Sequence, residues 1–121
     1  MSVLTPAERA YLATRVHARI ATSTRSGLPD VATVSFTLDG EELLVSAKRL
    51  VHTALFRNLM NNPRATLIID GDDNSGTEPL TAVKIHGYAG IEQRPEGALI
   101  RIAPEAAVSW SLDGGDVTRA Q

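Results

Sequence analysis

At 121 residues, with a net charge of −2 from 12 basic and 14 acidic residues, the chain can bury one core and lacks the global basic field that nucleic-acid binding needs. An aromatic content of 4% leaves little for base stacking, and the absence of cysteine excludes disulfides, thiol nucleophiles and cysteine-based zinc sites. No apolar run approaches a membrane span, and the N-terminal MSVLTPAERAY lacks the basic-then-apolar layout of a secretory signal, so the expectation is one soluble, cytoplasmic domain over residues 1–121.

Thr5, Pro6 and Glu8 read as N-cap, first helical position and capping-box partner of a short helix reaching about Thr14. Ala18 to Thr24 alternates and stops at Ser26-Gly27-Leu28-Pro29, a turn signal, so the first three strands form a meander. The third strand is followed by a helical pattern of about ten residues through Val51, Leu55 and Leu59. Asn62-Pro63 then starts a strand from Arg64 to Asp70.

The loop from Gly71 to Pro79 invites a calcium reading through Asp70, Asp72 and Asn74. Ser75 stands where the turn needs glycine and Thr81 where a bidentate glutamate is required, so that reading fails. Leu80 to Gln93 is a long strand, in which Gly87 and Gly90 permit a bend or bulge. Ala98 to Ile102 is the last clear strand, Pro104 to Trp110 a shorter apolar return, and about 112–121 a loosely ordered tail. About six strands with one inserted helix and no strand-helix alternation predict an all-β antiparallel barrel with minor helices. No phosphate loop, dinucleotide fingerprint, zinc-protease motif or nucleophile elbow is present, and His17, His52 and His86 stand isolated in sequence.

The functional signal concentrates between Val31 and Asn61. Asp39-Gly40 is a favoured two-residue hairpin loop and predicts that Phe36 faces Leu43 and Val34 faces Val45 on the core side. The other side then pairs Thr33 with Ser46 and Val31 with Lys48, so hydroxyls gather toward the basic end. Lys48, Arg49 and His52 precede or open the helix, whose N-terminus has unpaired N–H groups, and together they suggest an anion site. The competing reading is a solvated strand-to-helix loop.

The order ATSTRSGLPDVATVSFTLDGEELLVSAKR, FRNLMNNPRATLIID, VKIHGYAGI and IRIAPEAAVSW resembles the pyridoxamine 5′-phosphate oxidase-like split β-barrel flavoproteins, and within them the branch using the deazaflavin F-420. The resemblance runs from about Ala18 to Trp110. It implies a split barrel acting as a homodimer, an oxidoreductase passing hydride between F-420, or alternatively FMN, and a small organic acceptor. A non-catalytic flavin carrier on the same fold is the alternative. Carried over by position, Ser46, Lys48 and Arg49 match the phosphate-binding stretch, and His52 stands where many members have lysine. Thr33 and Ser35 would reach the ring edge, and Trp110 would lie near the interface or groove. No catalytic side chain and no metal ligand is implied. The short RPEG link after Glu92 departs from the longer connection of larger members.

Overall fold

A computed structural model describes residues 2–47, 49–71 and 81–110, with the backbone of 117–120. Helix α1, Pro6–Ala13, starts as its sequence dictates: Glu8 N donates to Thr5 Oγ1 at 3.1 Å and Thr5 N donates to Glu8 Oε1 at 2.9 Å. Leu4 and Leu12 are buried with the barrel core. The strands are β1 (His17–Ser23), β2 (Pro29–Asp39), β3 (Glu42–Ser46), β4 (Arg64–Asp70), β5 (Ala82–Arg94), β6 (Gly97–Trp110) and β7 (Val117–Ala120). A 3-10 turn, Leu50–His52, and helix α2, Ala54–Asn61, lie between β3 and β4.

The sheet order β3-β2-β1-β4-β5-β6-β7, with β3 also paired to β6, closes six antiparallel strands into a split barrel. Closure runs through Leu43 opposite Ile102 and Val45 opposite Ile100, four residues that are fully buried. Ile20, Leu67, Ile69, Val83 and Ile85 fill the same interior, and Leu55 and Leu59 bring one face of α2 onto it. The opposite face of β1, β2, β4 and β5 carries the polar residues, as alternation along a half-buried strand requires.

Three sequence expectations need correction. The β2–β3 loop is Gly40-Glu41, with Asp39 opposite Glu42, so Phe36 faces Val45 and Ser35, in place of Thr33, faces Ser46. Gly40 alone takes a positive φ, 64°, which fits a turn needing glycine only at its first central position; the pairing slips by two residues and every side chain keeps its face. The helix after β3 begins later than expected, since Thr53 caps α2 by accepting from Phe56 N at 3.1 Å. Finally, Pro104 to Trp110 is no separate piece but the second half of β6.

Pro104 is tolerated because the β5–β6 register shifts there. His86 pairs with Ala106 and Gly87 with Pro104, leaving Glu105 as the extra residue of a bulge. Gly87 has a packing reason as well: a Cβ on it would lie 2.5 Å from the Ala103 carbonyl oxygen. The RPEG link is tight, with Arg94 directly opposite Gly97. Residues 72–79 of the loop that carried the calcium reading lie outside the described residues, as do 112–116 of the expected tail; 117–120 pair with β6.

Candidate functional site

The outer face of the sheet collects the strand-borne candidates. Ser46 lies opposite Ser35, and Ser35 lies opposite His17, so one cross-strand row leads from the end of β3 to β1. Thr33, exposed beside that row, pairs with Arg19. Thr33, His17, Arg19, Ile68 and Asp70 line an open groove of about 270 Å³. Arg19 Nη1 and Asp70 Oδ2 stand 3.3 Å apart across it, fixing its polar edge, while Ile68 supplies an apolar patch.

Beyond the row, β3 runs into the basic segment. Lys48 lies outside the described residues. Arg49 is exposed and adopts φ 54°, ψ 44°, the sole positive-φ residue other than glycine among those described. A left-handed non-glycine residue costs about 1–2 kcal/mol, and such conformations gather at ligand clamps and switches. Here it precedes the 3-10 turn, whose first N–H groups, those of Leu50 and Val51, find no partner within the turn itself. His52, also exposed, closes the turn by donating its N–H to Arg49 O at 2.9 Å. Among the described residues the Arg49 guanidinium has no ion-pair partner. The anion geometry therefore differs from the expected one: a left-handed cation before a 3-10 turn, with the α2 N-terminus one turn away and already capped by Thr53.

Trp110 is on the same outer face but does not line this groove. It lies opposite Ala82, which lies opposite Asp70, placing it two strand spacings, about 10 Å, from the groove edge. Lys84 Nζ sits 5.9 Å from its ring centroid, a cation–π contact.

Sequence reasoning missed a second cluster. Two residues further along β1 and β4, about 7 Å, a groove of about 320 Å³ is lined by Ser23, Asn62, Arg64, Thr66, His86 and Glu105 among others. Thr66 Oγ1 and His86 Nδ1 share a hydrogen bond of 2.9 Å, which leaves Nε2 as the free ring nitrogen in either tautomer. Asn62 Nδ2 donates to Ser23 Oγ at 3.2 Å, and the Arg64 guanidinium lies 4.8 Å from the Tyr88 ring centroid. Helix α2 is tied to this wall by the buried Asn58, whose Nδ2 donates to Thr22 Oγ1 at 3.1 Å. Among the described residues no three metal-ligating side chains converge, and no helix is long and apolar enough to cross a membrane.

Solved structures with the same fold include the heme storage protein HutZ from Vibrio cholerae, at 16% identity and TM-score 0.70 over 98% of this chain and 96% of that one. An F420 reductase matches at 20% identity and TM-score 0.66, covering 80% of this chain and 93% of its own. An FAD-binding protein from Mycobacterium smegmatis matches at 20% identity and TM-score 0.67, covering 86% and 91%. No curated protein sequence matches the chain. The profile of the pyridoxamine 5′-phosphate oxidase family matches residues 4–110, which spans nearly the whole barrel from before α1 to the end of β6, and the chain belongs to that family.

Proposed function

We propose that this protein is an oxidoreductase that uses F-420, or alternatively FMN, to pass hydride to or from a small organic acceptor. The observation that carries the reading is Arg49: a strained, exposed cation with no ion-pair partner among the described residues, followed by the first N–H groups of a 3-10 turn, beyond the end of the hydroxyl-bearing row. The donor set suits a phosphate, because charge-assisted hydrogen bonds from a guanidinium and backbone N–H groups are the strong ones. From the end of β3 to the groove beside Thr33 is two strand spacings, about 10 Å, a length that a ribityl phosphate chain can bridge.

The bound flavin or deazaflavin would supply the hydride chemistry. The chain's own part is to bind and orient. Arg49, with Lys48 and His52, would hold the phosphate; Ser46, Ser35 and Thr33 would offer hydroxyls along the path; Ile68 would give the ring an apolar floor. Homodimerisation fits this role, since a 121-residue barrel gains from a second buried face and Val31, on the rim of the groove row, is 63% exposed. Trp110 would then stand near the edge of the shared surface. A cytoplasmic setting accords with the cysteine-free sequence.

A carrier without turnover is the second reading, favoured by the relatives named for storage and binding. The test is spectroscopic titration of purified protein with F-420, FMN and hemin, followed by reduced-cofactor turnover against a panel of acceptors. Saturable F-420 or FMN binding with turnover supports the proposal. Binding without turnover gives the carrier, and failure to bind either flavin overturns both.

A further inference from the structure

The second groove carries a feature that cofactor binding does not use. Arg64 and Glu105 line the same small volume, yet among the described residues neither makes an ion pair, with the other or with anything else. Each is positioned by the fold. Arg64 is stacked on Tyr88, which engages the guanidinium face and leaves its N–H edge available. Glu105 is the extra residue of the β6 bulge, next to Ala106, whose partner His86 is on the groove wall. A bulge re-aims a side chain in this way and is frequent beside binding sites. His86, on β5 between β4 and β6, presents its free Nε2 between the two charges, while Ser23 on β1 flanks Arg64 on the other side.

A cation and an anion held apart across a cleft of about 320 Å³ leave room for a ligand that bridges them. We propose that this groove, bounded by β1, β4, β5 and the β6 bulge, binds a small zwitterion, its carboxylate on Arg64 with Ser23 beside it and its ammonium on Glu105, with His86 contacting the chain between. An anion alone would meet Glu105 at close range, and an amine alone would meet Arg64, so the pair selects for a molecule carrying both charges. The site requires no flavin and abuts the first groove along β1 and β4, which places its ligand beside whatever occupies that groove.

The test uses the intact protein without cofactor. Glycine, β-alanine and γ-aminobutyrate are titrated against butyrate and butylamine while the His86 ring C–H resonances, assigned by His86→Gln, are followed by NMR. The expected result is saturable shifting of the His86 signals by at least one zwitterion and binding at least about tenfold weaker for both single-charge probes, one charge-assisted contact being worth about that factor. Glu105→Gln should bring the zwitterion down to the level of butyrate, and Arg64→Gln should weaken both. Absence of saturation by every zwitterion, or equal binding of butyrate and γ-aminobutyrate to the unmodified protein, overturns the proposal. Because the wild-type titration stands alone, a variant that fails to fold does not protect it.

Discussion

Replacing Arg49 by glycine should make the protein more stable and its cofactor binding weaker, two effects of opposite sign from one substitution. The native residue sits at φ 54°, which costs a non-glycine residue about 1–2 kcal/mol. Glycine removes that strain but gives back about 0.4–1 kcal/mol through the freer unfolded chain. The difference is a net gain of about 0–1.6 kcal/mol, centred near 0.8, read as a rise in Tm of a few degrees for a domain of this size. Against it, loss of one charge-assisted contact to a phosphate removes about 1.5–3 kcal/mol of binding, a 10- to 150-fold rise in Kd. Thermal unfolding of the free protein reads the first effect, and cofactor titration the second. Arg49→Lys is the control, keeping charge and strain while losing the planar fork. If Arg49→Gly binds F-420 and FMN as the wild type does, the anion site is elsewhere. If it lowers Tm, the left-handed conformation is not a cost to the fold.

Other substitutions test the fold around the grooves. Gly87→Ala drives a Cβ to 2.5 Å from the Ala103 carbonyl oxygen, so β5 and β6 must separate; a loss of about 1–3 kcal/mol is expected in urea unfolding, whereas a neutral result would refute the close approach. Asn58→Ala strands the buried Thr22 hydroxyl and should cost about 1–3 kcal/mol in urea unfolding, an unchanged midpoint being the result that removes this contact from the stability of the fold. Hydrogen bonds from Arg101 and then Arg94 hold the Glu92 carboxyl below its ordinary value of 4.5. A depressed acid stabilises the fold above its unfolded value and loses that contribution as pH falls through the folded one. Urea midpoints should therefore fall less between pH 5 and acid conditions in Arg101→Met than in the wild type, and identical profiles would remove Glu92 from the acid response.

What the sequence made legible was local. Thr5, Pro6 and Glu8 are close in the chain, and their capping box forms as read. The faces of β2 and β3 also came out correctly, because alternation survives a slip of two residues, while the slip itself turned on whether Asp39 or Gly40 opens the loop. The 3-10 turn was invisible since Leu50, Val51 and His52 carry no signal distinguishing it from the first turn of α2. The second groove was beyond reach for a different reason. Ser23, Arg64, His86 and Glu105 meet only through the β1–β4, β4–β5 and β5–β6 pairings, and nothing local specifies which strand crosses to which. A signal for the bulge did exist, in a proline opposite a glycine, but it required the β5–β6 register first.

The bulge at Glu105 also settles a matter of counting. Ile102 and Ala107 both face the interior although they stand five positions apart, an odd step that strict alternation forbids. The extra residue resets the phase of β6, so that one strand can close the barrel against β3 with its first half and serve the outer surface with its second. Deleting it would leave Gly87 opposite Pro104 and His86 opposite Ala106 in an unbroken ladder, so Ala107 and Ser109 would keep the interior and Trp110 the outer face, while the local bend and the side chain the bulge presents to the groove would be lost. A one-residue deletion is thus tolerable at the bulge, whereas the same deletion elsewhere in β6 would turn the rest of the strand over unless the bulge absorbed it.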